Sequence, residues 1–190
     1  MDNENYGLEQ YIADLREIVT NESDEKIITT RVSPLAKRLA AEKGWFKDEY
    51  RETERSQGFG VHLLHEEENH DLGVFVFAWE PGKGVGAHNH NTWVVVAGIE
   101  GQEHEIRYDC LDDGSKPGYA DLREAGDDVL VPGQVASCGY DDVHGVWNNG
   151  DVISVSLHTY GRHLNHTNRS VFDVAAKTEQ PLIVKVEDQQ

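Results

Sequence analysis

The first part of the chain repeats apolar residues with the period of an α-helix. In LEQYIADLREIVT the apolar side chains recur every three or four positions and form one stripe: Leu8, Tyr11, Ile12, Leu15 and Val19. Such a stripe predicts an amphipathic helix. A second helix is predicted to begin near NESDEK, where Asn21 or Ser23 could cap it. A third is predicted in SPLAKRLAAEKG, with Ser33 as the N-cap, Pro34 in the first turn and Gly44 at the end.

From residue 58 onward the pattern changes to that of β-strands. Short segments rich in β-branched and aromatic residues are separated by Gly, Pro, Asn and Asp: GVFVFAW, TWVVVAGI, HEIRYDCL, DVLVP, DVISVSLHTY and PLIVKV. Short strands at near-regular spacing after a helical start predict an antiparallel sandwich or barrel. We therefore expect a mainly β fold. It would be a single domain in which residues 1–57 form a helical region packed on a β-barrel of residues 58–190.

The charge balance narrows the range of partners. The 190 residues include 35 acidic and 17 basic ones, for a formal net charge of −18. Because contact with phosphates requires a basic surface, we expect no nucleic acid partner. The longest apolar run, residues 93–99, is too short to span a bilayer, and the acidic start lacks the basic and apolar regions of a signal peptide. These features predict a cytoplasmic protein with no membrane partner.

The two cysteines, Cys110 and Cys138, lie far apart in sequence and form no CxxC pattern. This spacing argues against a structural disulfide and fits a reducing compartment. Each cysteine is predicted to be a small buried apolar residue.

Two histidines one residue apart stand just ahead of a strongly β-forming run, in GKGVGAHNHNTWVVV. On a strand, positions i and i+2 point to the same face, so His88 and His90 can converge while Asn89 faces away. Two imidazoles alone cannot hold a catalytic metal. The pair on its own is equally typical of polar residues where a loop meets a strand.

A second polar row lies in SVSLHTYG. Ser156, His158 and Tyr160 alternate along one predicted strand, so their side chains share one face. This row predicts a hydrogen-bonded chain from hydroxyl to imidazole to phenol, which would position the tyrosine hydroxyl. The alternative is a histidine and a tyrosine that satisfy each other inside a core.

The histidine pair resembles the first cupin motif, in which a glycine (here Gly82) is followed by five residues and then His-x-His. Gly126, Pro132, His144 and Asn148 resemble the second motif, with a longer interval before the histidine. In a cupin, a double-stranded β-helix or jelly roll, His144 would face the first pair. Three neutral imidazoles would then bind a divalent metal and leave positions open for small ligands.

Together with the S-x-H-x-Y strand, these motifs make residues 59–173 resemble the cysteine dioxygenase superfamily of cupin thiol dioxygenases, and its bacterial mercapto-acid members in particular. The resemblance implies one Fe(II) per chain held by His88, His90 and His144. It implies that Ser156, His158 and Tyr160 form the catalytic triad. The activity implied is dioxygenation of a small mercapto-carboxylic acid by O2 to the sulfinate.

The family's usual substrate-carboxylate position, an arginine or a glutamine, is occupied by Val61, which offers neither charge nor hydrogen bond. Arg169 resembles an arginine that bacterial mercaptopropionate-type enzymes carry after the tyrosine, and Arg162 is a nearby second candidate. An arginine fork suits bidentate binding of a carboxylate. Substrate binding is therefore assigned to Arg169.

The remaining polar residues are expected to have ordinary roles. Glu103 and Glu105 are predicted to be exposed strand acids rather than groups that support the metal ligands. Six histidines are predicted to be solvated or structural: His62, His65, His70, His104, His163 and His166. Two other functions stay open, a cupin metalloprotein with a different small-molecule reaction and a non-catalytic cupin that binds a small ligand.

Overall fold

The structure, a computed structural model, describes residues 6–187. Its N-terminal region contains two α-helices, α1 (Leu8–Asn21) and α2 (Glu25–Ala41), and a short 3₁₀ helix (Asp48–Arg51). Helix α1 follows the predicted stripe, and Tyr11, Ile12 and Leu15 of that stripe are buried. The predicted first helix is confirmed.

The second and third predicted helices are one continuous helix, so that part of the prediction is wrong. Asp24 caps α2 by accepting from the backbone amide of Lys26 at 2.8 Å. Ser33, the expected cap, instead donates to the Thr29 carbonyl at 2.7 Å, and Pro34 lies inside the helix. A proline in a helix interior removes one backbone hydrogen bond. Burial of the apolar side of α2 on both sides of Pro34 keeps the helix continuous.

Eleven strands follow in the described part of the chain: β1 (Phe59–His65), β2 (Asp71–Trp79), β3 (Gly84–His88), β4 (Val94–Glu100), β5 (Glu103–Cys110), β6 (Leu122–Leu130), β7 (Val135–Cys138), β8 (Val143–Trp147), β9 (Ser154–Arg162), β10 (Ser170–Asp173) and β11 (Thr178–Pro181). They form a five-stranded sheet in the order β1-β2-β9-β4-β7 and a six-stranded sheet in the order β11-β10-β3-β8-β5-β6. The strand pairs within both sheets are antiparallel. The predicted mainly β jelly roll, preceded by helices, is confirmed.

The central strands of the five-stranded sheet are buried on both faces, which explains their nearly continuous apolar sequences. Along β2, Phe75 and Phe77 belong to an interior cluster with Val94 and Tyr160. The intervening Val74 belongs to a different cluster that the helices share. Because side chains alternate along a strand, one face of this sheet is turned toward the barrel interior and the other toward α1 and α2.

The helices and this sheet share one core. Leu15 of α1 and Val32 of α2 lie in the same buried cluster as Val95 of β4 and Leu157 of β9. A buried hydrogen bond of 2.6 Å also joins the Tyr11 hydroxyl to the Thr159 hydroxyl of β9. The outer face of β9 is therefore fixed by the helices. The division into residues 1–57 and 58–190 stays a prediction.

Two further expectations are wrong. The segment PLIVKV is not a strand, because β11 ends at Pro181, the first residue of the segment. The Leu182 amide still donates to the Arg169 carbonyl at 2.9 Å. Leu182 and Val184 nevertheless pack into the interior cluster. Cys110 is exposed rather than buried, because it lies at the end of β5 near the barrel edge, whereas Cys138 is buried as predicted.

Within the described residues, neither helix combines the length and apolar character needed to cross a bilayer.

Two adjacent isoleucines in α2 test the shared core. Ile28 is 4% exposed and Ile27 is 46% exposed. We expect Ile28→Ala to lower the free energy of unfolding by about 2–5 kcal/mol, because it leaves a cavity between α2 and the sheet. Ile27→Ala, the matched control, should change it by less than about 0.5 kcal/mol. Urea denaturation measures both, and equal effects would contradict the packing of α2.

Candidate metal centre and cavity

The structure brings the three predicted histidines together inside the barrel. His88 is the last residue of β3 and pairs directly with His144 of β8. His90 lies two residues beyond the end of β3, so strand alternation alone does not place it. The ring centroids lie 4.6 Å apart for His88 and His144, 5.0 Å for His88 and His90, and 4.9 Å for His90 and His144.

The rings are oriented by hydrogen bonds at one nitrogen. The Nδ1 of His88 lies 2.9 Å from the Gly86 carbonyl, and the Nδ1 of His144 lies 2.7 Å from Oε1 of Glu105. Because a carbonyl or carboxylate oxygen can only accept, these Nδ1 atoms carry the hydrogens, and the Nε2 atoms are left for a ligand. A second partner of this kind is characteristic of histidines that bind metals.

The electrostatics suit metal ligation at two of the rings. Burial, reinforced by the positive charge of His144, holds the pKa values of His88 and His90 well below the usual range. Both rings are therefore neutral. Burial also opposes charge on His144, but the neighbouring Cys138 and Glu105 outweigh it and raise the pKa of His144 to about 9. A metal ion would have to displace that proton, since only a neutral imidazole ligates.

Glu103 and Glu105 are buried, at 4% and 6% exposure, so the prediction that they are exposed strand acids is wrong. The two carboxylates alternate with His104 on β5 and share its inner face. The other carboxylate oxygen of Glu105 accepts from Arg107 at 3.1 Å. Burial raises the pKa of Glu103 to about 7, and the nearby Ser156 hydroxyl offsets only part of that effect. The E-x-E spacing was visible in the sequence, but only the pairing with β8 places Glu105 beside His144.

Ser156, His158 and Tyr160 point inward from β9 and form a hydrogen-bonded row. The Ser156 hydroxyl lies 2.8 Å from Nε2 of His158, and Nδ1 of His158 lies 3.2 Å from the Tyr160 hydroxyl. Burial lowers the pKa of His158 well below its usual range and raises that of Tyr160 to about 12. A neutral imidazole thus separates two neutral hydroxyls. The Tyr160 ring centroid lies 5.7 Å from that of His90.

Arg169 is the buried cation of the same cavity. Its residue is only 4% exposed, and its Nε has no hydrogen-bond partner among the described residues. Burial lowers the pKa of Arg169, and interaction with the Tyr160 hydroxyl offsets part of that shift. The guanidinium nevertheless stays charged, because an arginine pKa lies so far above neutral pH.

Arg162, the second candidate, and Val61, at the family's usual carboxylate position, do not line the cavity. Arg162 pairs at 3.2 Å with Asp71, and both side chains are about half exposed. Val61 is fully buried in the interior cluster of β1 and β2. Of the three positions, Arg169 is the one that lines the cavity.

The cavity is small, about 40 Å³, and lies between the two sheets. Its polar lining includes the three clustered histidines, His158, Tyr160 and Arg169, and much of the remaining wall is apolar: Phe77, Trp79, Val85, Val96, Leu130 and Leu182. An apolar wall with a few convergent polar groups is the usual form of a small-molecule site.

The histidine cluster fits a divalent metal ion. One possible ligand atom each from His88, His90 and His144 lies within 4.8 Å of the others, and all three residues are buried. Three imidazoles on one side of an ion leave coordination positions open toward the cavity, as in catalytic rather than structural sites. Imidazole suits Fe, Zn, Cu and Ni alike, so the donor set does not fix the metal.

No protein-family model matches the sequence. Among solved structures, the chain is similar to a double-stranded β-helix protein from Klebsiella pneumoniae, with 18% identity and a TM-score of 0.48, over 68% of this chain and 92% of that one. A cupin superfamily protein from Desulfitobacterium hafniense has 14% identity and a TM-score of 0.41, over 55% of this chain and 77% of that one.

The chain is also similar to an oxalate oxidase in complex with glycolate, with 16% identity and a TM-score of 0.46, over 62% of this chain and 59% of that one. The chain therefore spans about three fifths of that enzyme. All three TM-scores lie below 0.5 and all three identities below 25%. The fold is accordingly assigned from its own two sheets, and no reaction is carried over from these proteins.

The contact between Glu105 and His144 predicts an effect on metal binding. We expect Glu105→Gln to weaken divalent-metal affinity by roughly 10-fold or more, because the imidazole loses the carboxylate that orients it and raises its basicity. Asp127→Asn is the matched control, since the exposed Asp127 accepts from the partly buried His104 at 2.7 Å. Calorimetric titration with Fe(II) or Zn²⁺ measures both variants. Unchanged affinity in Glu105→Gln would contradict the assigned support.

The buried Glu103 predicts a pH dependence of stability. Its pKa is about 7 in the folded chain, against an ordinary glutamate pKa of 4.5. Between these values the unfolded chain has lost the proton while the folded chain keeps it, so stability falls as pH rises through this window. We expect Glu103→Gln to flatten the fall between about pH 4.5 and 7 in urea denaturation of metal-free protein. The exposed Glu124→Gln should leave it unchanged, and an unaltered slope in Glu103→Gln would refute the assignment.

Proposed function

We propose that this chain is a non-haem Fe(II) thiol dioxygenase that converts a small mercapto-carboxylic acid and O2 to the sulfinate. The observation that carries the proposal is Arg169, a buried guanidinium whose Nε lacks a partner, in the same cavity as the three clustered histidines. The Ser156, His158 and Tyr160 row supports it, because it presents a phenol beside those histidines.

Arg169 argues for an anionic substrate. A buried charge without a counter-ion is unfavourable, and a carboxylate that enters the cavity would remove that penalty. The planar guanidinium can bind a carboxylate through two parallel hydrogen bonds, which fixes the orientation of the ligand. The small volume restricts the ligand to a few heavy atoms. A short carboxylic acid meets both conditions.

The histidine set supports the metal part of the proposal. Three neutral imidazoles add no negative charge, so the ion would keep its full positive charge and attract a thiolate. Bound Fe(II) would supply the redox chemistry that dioxygen needs to react with sulfur. The overall change is R–SH + O2 → R–SO2H: the S–H bond is lost, two S–O bonds form, sulfur is oxidised and dioxygen is reduced. The role of this chain is to hold the reactants together at the ion.

Tyr160 is assigned the role of a hydrogen-bond partner at the reacting end of the substrate. The pKa of about 12 keeps its phenol protonated, and His158 fixes the hydroxyl from behind. Ser156 in turn holds the far nitrogen of His158 at 2.8 Å. The row thus places one neutral O–H group next to the histidine cluster without adding charge. Arg169 contacts the same hydroxyl and would set the carboxylate close to it.

The activity is tested by dioxygen uptake of Fe(II)-loaded protein with 3-mercaptopropionate, mercaptosuccinate, cysteine and cysteamine. We expect the fastest uptake with a carboxylate-bearing thiol and a sulfinate product. Cysteamine as the best substrate would overturn the role of Arg169. No uptake with any of the four, with iron bound, would overturn the thiol reaction and leave another cupin reaction or a non-catalytic ligand-binding role.

Arg169→Lys tests the substrate contact in the same assay. We expect KM for the carboxylate thiol to rise about 10–100-fold, because lysine is a point charge without the bidentate fork. Arg162→Lys is the matched control, since Arg162 lies outside the cavity and is paired with Asp71; its KM should be unchanged. A KM that rises in Arg162→Lys instead would reassign the carboxylate site to that residue.

A further inference from the structure

Another group of metal-type side chains lies outside the cavity. The segment between β1 and β2 contributes Glu66 and His70, and the 3₁₀ helix after β9 (Leu164–His166) contributes His166. One carboxylate oxygen and two imidazole nitrogens of these residues lie within 4.8 Å of one another. Both histidines are predicted above to be solvated or structural, and the proposed dioxygenase reaction uses none of the three residues.

The two segments are joined by one backbone contact and by Arg162. The amide of His163 donates to the His70 carbonyl at 2.7 Å. Arg162 donates from Nη1 to Asp71 at 3.2 Å and from Nε to the His166 carbonyl at 2.9 Å. The backbone of His70 adopts a positive φ of 67°, which is uncommon for a residue with a side chain. From this position the His70 ring lies against the Glu66 carboxylate and the His166 ring.

The side chains already lie together. The Nδ1 of His70 is 2.5 Å from Oε1 of Glu66, and the rings of His70 and His166 are stacked with centroids 3.6 Å apart. Because the lone pair of an imidazole nitrogen lies in the ring plane, the exposed His166 ring would have to turn about its Cβ–Cγ bond before both rings bind one ion. Their partial exposure gives an ion access from solvent. Two imidazoles and one carboxylate are a donor set that binds Zn²⁺ with a water in the fourth position.

We propose that Glu66, His70 and His166 bind a divalent transition-metal ion, Zn²⁺ by donor chemistry, and that this ion clamps the chain segment that leads to Arg169. The site is independent of the proposed dioxygenase reaction. It joins the β1–β2 connection to residues 163–169 through side chains, in addition to the backbone contact and Arg162.

Two routes lead from this cluster to the cavity wall. Along the chain, Arg169 follows His166 by three residues, and Asn91 donates to the intervening carbonyl of Asn168 at 3.0 Å.

The second route runs through packed rings. The centroid of the His163 ring lies 5.1 Å from that of the His166 ring and 5.1 Å from that of the Phe75 ring. Phe75 in turn contacts the ring of Tyr160 at 5.7 Å. An ion at the surface would thus restrict motion of both cavity residues.

Metal stoichiometry of the full chain tests the site. Equilibrium dialysis against Zn²⁺ with elemental analysis should give two ions per chain, and one each in His166→Ala, His70→Asn and His88→Ala. Asparagine is chosen at position 70 because it tolerates positive φ. The matched control His104→Ala, at another carboxylate-paired histidine, should keep two.

A single ion in the unaltered chain that is lost in His88→Ala but kept in His166→Ala would overturn the proposal, as would two ions kept in both His70→Asn and His166→Ala. A single ion that is lost in His166→Ala but kept in His88→Ala would support the surface site and count against the cavity site. Binding of the second equivalent only at millimolar Zn²⁺ would mean an adventitious ion only.

The clamp is tested by amide hydrogen exchange in His88→Ala, in which the cavity site is disabled. Saturating Zn²⁺ should slow exchange at residues 66–71 and 163–169 by at least 10-fold, because local opening would then require release of the ion. In His88→Ala combined with His166→Ala, the same addition should have no effect. Slowing elsewhere but not in these two segments would overturn the clamp. This readout needs no enzymatic activity, so it is separate from the failure or success of the proposed reaction.

Discussion

Helices α1 and α2 cover the outer face of the five-stranded sheet, and the arrangement of the whole interior depends on this coverage. Strands β2, β4 and β9 alternate between a face packed on the helices and a face turned into the barrel. Val74, Val95 and Leu157 fill the first of these faces. Because packing on the helices already buries apolar side chains of this sheet, the inward positions of β9 can carry polar side chains. The row of Ser156, His158 and Tyr160 follows from that division of faces.

Burial of polar groups inside the barrel costs less where they form hydrogen bonds. His88 donates to a backbone carbonyl, His144 to Glu105, and His158 lies between two hydroxyls. Four buried side-chain atoms are left without partners among the described residues: Nε1 of Trp79, Nδ1 of His90, the Ser154 hydroxyl oxygen and Nε of Arg169. Unsatisfied buried groups are costly, and three of these, on Trp79, His90 and Arg169, belong to residues that line one cavity. The positions of His90 and Arg169 there are the physical link between the fold and the proposed binding of a metal ion and an anion.

The six-stranded sheet contributes the electrostatic part of the site. It carries His88 and His144 on neighbouring strands, and Glu105 on the next strand beyond β8. Glu105 stabilises a protonated His144, which in turn disfavours charge on His88 and His90. One sheet therefore supplies His88, His144 and the carboxylate of Glu105, and the other supplies a neutral hydrogen-bonded row.

Features that depend on local periodicity could be predicted from the sequence alone. The helical stripe of α1, the β segments and the shared face of Ser156, His158 and Tyr160 all follow from periods of 3.6 and 2 residues. Predictions from the sequence were wrong where contacts between distant residues outweighed the local pattern. Pro34 stays inside α2 because the helix is buried on the sheet. Beyond Pro181, Leu182 and Val184 pack into the interior cluster and do not continue β11.

Which polar residues come into contact depends on how distant segments of the chain pack together. Glu103 and Glu105 have the spacing of an ordinary strand, and their burial depends on β8 lying beside β5. The sequence pointed to Arg169 as the substrate contact, with Arg162 as a second candidate. They differ because the chain turns between them, which leaves one guanidinium paired at the surface and carries the other into the cavity. Contacts between residues far apart along the chain have no periodic signature, so the composition of the site is fixed by the packing of the two sheets.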